Sequence, residues 1–256
     1  CLAFAVTASA KGKKYGLFVG INDYPAPTNT LYGAVNDAKN MKSLLETKYG
    51  FLAANDVILT DKDATRDNIL NRLKALAAKA GAGDMLVFQY SGHGTLFPDK
   101  WSDVMDEESK TELHVKFEDG SKIDIPLDFY DSAICPWDLD GTSSGKNWGN
   151  LILDDELYAI FAPLTAKGVN VVFVSDSCHS GTVGKGMPKG AIRFADPRAA
   201  FGGKTFAEMK LKAPKGQTKA PGRQVPGNYI ALSAAKDNEF AMDSSGGSIP
   251  SGLFTT

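Results

Sequence analysis

The sequence predicts an α/β protein, a mostly parallel sheet with helices on its faces. Short apolar runs at residues 15–21, 57–60 and 84–90 alternate with amphipathic stretches at 33–49 and 65–80, giving the order β-α-β-α-β. A further step follows, an amphipathic stretch at 154–164 and then an apolar run at 169–174. There is no internal repeat and no second apolar core, so one domain is expected.

Each element has its own signal. Residues 15–21 are apolar with flanking glycine and read as a buried strand. Ala34, Val35, Ala38, Met41, Leu44, Leu45 and Tyr49 recur at helical spacing. In the second helix Ile69, Leu70, Leu73, Leu76 and Ala77 share one face, with Asp63 or Thr65 as the start signal and Gly81 as the stop. Residues 112–117 and 121–125 alternate about Glu118-Asp119-Gly120, the pattern of an inserted β-hairpin. Asp154, Asp155 and Glu156 open the third helix with charges suited to a helix N-terminus. Residues 182–227 are dense in Lys, Arg, Gly, Pro and Ala and read as a long connector. A short strand is expected again at 228–233.

The chain has 256 residues, is 43% hydrophobic and carries a formal net charge of −2, so a sizeable core is expected. That charge gives no general attraction to nucleic acid or acidic membranes, and neither is expected as a partner. No apolar run reaches the roughly 18 residues of a spanning helix. Three cysteines, Cys1, Cys135 and Cys178, are too few for a disulfide framework and form no Cys-x-x-Cys pair. Residues 1–10 are apolar, end in Ala8-Ser9-Ala10 and precede Lys11-Gly12-Lys13-Lys14. They read as the remnant of a secretory signal peptide, which would make the protein periplasmic or secreted; otherwise it is expected in the cytoplasm. The chain is expected to be a fragment at both ends.

The chemistry lies at two strand ends. The strand at 84–90 runs into Ser91-Gly92-His93-Gly94, and that at 169–174 into Ser175-Asp176-Ser177-Cys178-His179-Ser180-Gly181. If both strands lie parallel in one sheet, His93 and Cys178 emerge at the same edge, as base and nucleophile. Free cysteines are mostly small buried hydrophobes, which suits Cys135; Cys178, among Asp, Ser and His, does not fit that pattern. His179 is the competing base, but beside Cys178 in extended backbone its side chain points away. Asp37, in the first turn of the first helix, and Asp176 fall near the same edge. Asp37 could merely complement the helix dipole, but two carboxylates at a cleft lip suggest a pocket for a cationic side chain.

These motifs resemble the caspase-like peptidases, and within them the metacaspases and bacterial orthocaspases. The resemblance runs from Tyr15 to about Thr256 through Val19-Gly20-Ile21-Asn22, the segments 31–38 and 130–138, Leu153-Asp154-Asp155 and the segment 231–235. It implies a caspase-like (caspase-hemoglobinase) three-layer fold, central mostly parallel sheet flanked by helices. Residues 15–181 would be the large-subunit-like part, 182–227 the connector and 228–256 a truncated small-subunit-like part. It implies a Cys178/His93 dyad, an oxyanion hole from the Gly94 and Cys178 amides, and a pocket of Asp37, Asp176 and Ser91 for Arg or Lys in peptide or protein substrates. It implies a zymogen that processes itself at one of the basic residues from Lys185 to Arg223, and a monomer. No cofactor is required by this chemistry. Many metacaspases bind calcium through an aspartate cluster; Asp131, Asp154 and Asp155 match three positions, but the fourth falls near the non-acidic Lys185.

Other readings are a non-catalytic caspase-like scaffold that binds partners, and peptide ligation by the same thioester chemistry. Gly141–Lys146 is one residue short of a phosphate loop and is followed by Asn147 where Ser or Thr is needed, which disfavours a nucleotide-binding protein.

Overall fold

The computed structural model describes residues 12–25, 28–98, 112–116, 122–126, 130–139, 150–177, 193, 195, 225, 227–234, 243–244 and 251–252. Its centre is a five-stranded sheet of β1 (Lys14–Gly20), β2 (Asp56–Thr60), β3 (Met85–Ser91), β9 (Asn170–Asp176) and β10 (Tyr229–Ser233). The order is β10-β9-β3-β1-β2 and every pairing is parallel. The predicted α/β architecture is thus present.

Three helices flank this sheet: α1 (Ala34–Lys48), α2 (Arg66–Lys79) and α3 (Asp154–Ala166). The chain steps from β1 outward to β2 through α1, then back past β1 to β3 through α2. Right-handed crossovers in opposite directions put α1 and α2 on opposite faces. The core reflects this. Tyr15, Leu17 and Val19 of β1 stand in register with Leu86, Phe88 and Tyr90 of β3. They join one cluster with Ile69, Leu70, Leu73 and Leu76 of α2 and Leu157, Phe161 and Leu164 of α3. Residues of opposite parity, Phe18 on β1 and Val87 and Gln89 on β3, are also buried and face the α1 side, since successive strand residues point to opposite faces.

Thr65 caps α2, its side chain accepting the Asn68 amide, which decides between the two start signals in the sequence. In α1 the expected apolar stripe is only partly the buried one. Ala34, Asp37 and Ala38 are buried, whereas Leu44 and Tyr49 are about half exposed. Gly20 explains the contact at the start of α1: a Cβ there would lie 2.4 Å from the Ala34 carbonyl oxygen and 2.8 Å from the Val35 Cα. Glycine therefore lets the helix start press directly on the strand end.

Between β3 and β9 the chain builds β4 (Gly94–Pro98), β5 (Glu112–Lys116), β6 (Lys122–Pro126), β7 (Tyr130–Ile134) and β8 (Ile152–Leu153). The antiparallel β5–β6 pair is the hairpin expected from sequence. The antiparallel β4-β7-β8 sheet was not anticipated. A last small pair, β11 (Asp243–Ser244) and β12 (Ser251–Gly252), is antiparallel. Among the described residues no helix is long and apolar enough to cross a membrane.

Candidate active site

The parallel register aligns the two strand-end motifs. Ser91, last in β3, pairs with Gly20 of β1 on one side and with Asp176, last in β9, on the other. His93 and Cys178 each follow two residues beyond this common row. Cys178 lies outside the described residues, as do His179 and Lys185; Ser177 ends the described segment.

His93 occupies the short junction between β3 and β4 and is fully buried. Its Nε2 is 2.7 Å from the Asn29 carbonyl oxygen. A carbonyl only accepts, so Nε2 carries the proton and Nδ1 of the neutral ring holds the lone pair. Asn29 belongs to the β1–α1 loop, which is itself tied down: the Asp61 carboxylate accepts the Asn22 and Asp23 amides at 2.8 and 3.0 Å.

Two buried phenols fix the backbone around His93. The Tyr24 hydroxyl accepts the His93 amide at 3.0 Å and lies 3.0 Å from the Cys135 carbonyl. The Tyr90 hydroxyl lies 2.6 Å from the His93 carbonyl and 2.8 Å from that of Cys135. Two hydroxyl protons thus serve two carbonyls, Tyr90 donating to His93 and Tyr24 to Cys135. The Cys135 amide closes the knot on the His93 carbonyl at 3.0 Å. Burial raises both phenols above their ordinary value, so they remain donors. Gly92 is required by this packing: a Cβ would sit 2.6 Å from both hydroxyl oxygens. Cys135 is fully buried and its thiol is pushed up by burial, the inert role expected for it.

Asp37 and Asp176 come together on the α1 face of the sheet, both fully buried. Between them lies Arg193, also fully buried. One guanidinium nitrogen donates to Asp37 Oδ2 at 2.5 Å. The other is 3.2 Å from Asp176 Oδ1 and donates to the Asp176 carbonyl at 3.1 Å. Buried charges persist only when paired in this way. Ser91 Oγ, in the same row, accepts from Gln89 Nε2 at 2.7 Å. Gly94 donates its amide to the Arg193 carbonyl at 2.9 Å.

The aspartates matched to a metal cluster lie on β7 and at the start of α3. Asp154 and Asp155 open α3, and Asp154 Oδ1 accepts the Asp155 amide at 2.8 Å, a helix-terminal role. Asp131 lies in β7, two residues beyond the Ala133–Leu153 pair, toward the end where β8 passes into α3. Among the described residues no group of three acidic, histidine or cysteine side chains gathers as metal ligands; the Asp131 side chain lies outside the described residues. A cavity of about 520 Å³ lies beside Asp154, Asp155, Tyr158 and Tyr229; none of its lining residues belongs to the Ser91–Asp176 edge.

Sequence reasoning placed His93, Gly94, Ser91, Asp37 and Asp176 at one edge. It missed Asn29, Tyr24 and Tyr90, whose roles depend on distant backbone groups, and it did not single out Arg193.

Comparison with known proteins identifies the family. A family model described as metacaspase, peptidase C14 domain, matches residues 14–185. Metacaspase-1 of Meyerozyma guilliermondii is 34% identical over 181 residues, covering 68% of this chain and 37% of that protein. Metacaspase-1B of Aspergillus oryzae is 33% identical over 181 residues, covering 68% and 36%. The match thus spans little more than a third of these curated relatives. A crystal structure of a protein from Geobacter sulfurreducens superposes with a TM-score of 0.62 at 25% identity, covering 95% of this chain and 79% of that one. A family model over most of the chain, relatives above 30% identity and a shared fold lead to one conclusion: the chain belongs to the metacaspase family of peptidase C14 domains.

Proposed function

We propose that this domain is a cysteine endopeptidase that cuts peptide bonds after arginine or lysine, with Cys178 as nucleophile and His93 as base. The observation that carries the reading is the convergence of two fully buried carboxylates, Asp37 and Asp176, on a single guanidinium next to His93. A pocket with that charge favours a cationic side chain and rejects an acidic one.

The reaction follows from the placement of groups. His93, oriented through Nε2 by the Asn29 carbonyl, takes the Cys178 thiol proton on Nδ1. The thiolate attacks the scissile carbonyl, and its oxygen, now negative, is held by the Gly94 and Cys178 amides. The tetrahedral species collapses, His93 protonates the departing amine, and a thioester remains. Water, deprotonated by His93, hydrolyses the thioester and returns the thiol. Every step is written through the chain's own residues.

Hydrolysis of fluorogenic peptides ending in Arg, Lys or Asp, by the wild-type chain and Cys178→Ala, tests the reading. Arg and Lys peptides should be cut, the Asp peptide should not, and Cys178→Ala should be inactive. Failure to cut any basic peptide, with or without added calcium, would favour a partner-binding scaffold instead.

A further inference from the structure

The β1–α1 loop that carries Asn29 is held by a residue that does not touch His93. Asp61 directly follows β2, one residue past the Gly20–Thr60 rung, and so stands at the same sheet edge. Its φ is 44°, in the left-handed region that a non-glycine side chain rarely adopts. Backbone held there marks a position that the surrounding structure fixes against its preference. From it Asp61 Oδ1 accepts two successive amides, those of Asn22 and Asp23. The Asp23 carbonyl is gripped as well, accepting the Trp137 indole Nε1–H at 2.7 Å. The Leu31 amide closes the loop on the Asn22 carbonyl at 2.8 Å. Both groups that the loop gives to His93 hang from these anchors. Tyr24 is next in the chain after Asp23; its hydroxyl accepts the His93 amide, and its ring centroid lies 4.8 Å from that of the imidazole. Asn29, two residues before Leu31, accepts the Nε2–H.

We propose that Asp61 is a positioning residue for the His93 imidazole, acting through the β1–α1 loop and not by contact. This rests on the peptidase reading above. A general base works only when its lone pair points at the proton it takes, and a misplacement of about 1 Å can cost on the order of 100-fold. The Asn29 carbonyl sets the rotation of the ring, and Asp61 sets the loop that presents the carbonyl. Without the Asp61 acceptor two amides lose their partner, the neck of the loop loosens, and the ring turns more freely. The carboxylate pocket has separate support, because Asp37 rides on the helix seated against Gly20. The loss therefore falls on the proton-transfer step and not on the grip for the basic side chain.

Two substitutions of Asp61 in the full chain separate positioning from plain stability. Glycine takes a positive φ without strain, so Asp61→Gly removes the carboxylate and should still melt within a few degrees of wild type. Its kcat on an arginine peptide should fall about tenfold with KM unchanged. Asparagine keeps an acceptor oxygen, so Asp61→Asn should recover most of that loss. The direct readout is the His93 Nε2 proton in proton–nitrogen NMR spectra of a His114→Gln, His179→Gln, Cys178→Ala chain, which leaves His93 alone of the three histidines. Exchange of that proton with water should be slow, become about tenfold faster on adding Asp61→Gly, and slow again with Asp61→Asn. Unchanged kcat and unchanged exchange in Asp61→Gly overturn the inference and leave the peptidase reading standing. So does a fall in kcat accompanied in both variants by melting on the order of 10 °C lower, which would make Asp61 a general support of the fold. If no form cuts any basic peptide, the peptidase reading falls, and the exchange rates alone decide whether Asp61 holds His93.

Discussion

Ser91 and Asp176 stand opposite one another on the last rung of the β3–β9 ladder. In sequence His93 and Cys178 each stand two residues beyond that rung, and Cys178 lies outside the described residues. Equal spacing from a shared rung is the relationship on which the proposed pairing of His93 with Cys178 rests. The same rung presents Asp176 to the α1 face, where Asp37 and Asp176 both pair with Arg193.

Under the proposed specificity, Asp37→Asn and Asp176→Asn each lower kcat/KM for arginine peptides on the order of 100-fold, because one charged partner of a desolvated guanidinium is lost. The effect should fall mainly on KM. Steady-state kinetics on paired Arg and Gln peptides checks this; unchanged discrimination would remove these carboxylates from the pocket.

The phenol knot predicts a stability phenotype away from the dyad. Gly92→Ala forces apart the Tyr24 and Tyr90 hydroxyls and is expected to cost about 2–3 kcal/mol by overpacking. Tyr24→Phe leaves the His93 amide without its acceptor, at about 1–3 kcal/mol. Chemical denaturation measures both, and a Gly92→Ala variant as stable as wild type would contradict the close approach seen here.

Asp56 on β2 gives a pH signature. Burial first, then the nearby Glu46 charge, pushes its carboxyl from 3.8 up to about 6. The folded state therefore binds this proton more tightly than the unfolded chain does. The associated stability is complete below about pH 4 and is lost as the pH rises through 6. Asp56→Asn should accordingly stabilise at pH 7.5, by about 1–2 kcal/mol given partial exposure, and make no difference near pH 4. Melting curves at both pH values decide; an equal shift at both would assign the effect to packing.

Much of this was legible beforehand for a physical reason. The strands β1, β3 and β9 are covered on both faces and so read as apolar runs, and α2 announces itself by its stripe and the Thr65 cap. The β4-β7-β8 sheet was not legible: β8 has two residues, and Tyr130–Ile134 mixes polar and apolar positions without a period. Asp37 and Asp176 could be placed by counting from strand and helix ends. Tyr24 and Tyr90 could not, since an aromatic in an apolar run signals core and says nothing of the carbonyls its hydroxyl will meet. Arg193 was one cation among many in the connector until the fold set it between two buried carboxylates.

That two-sided carboxylate grip also bears on how such a pocket can change over evolutionary time. Its charge comes from a helix start and a strand end that are far apart in the chain. Under the proposed specificity, replacing either aspartate alone with a basic residue would set that new cation against the remaining carboxylate, giving a self-neutralised pocket that suits neither basic nor acidic substrates. A switch to acidic specificity then needs both exchanges together, so a lineage starting from this arrangement would have to cross an inactive intermediate.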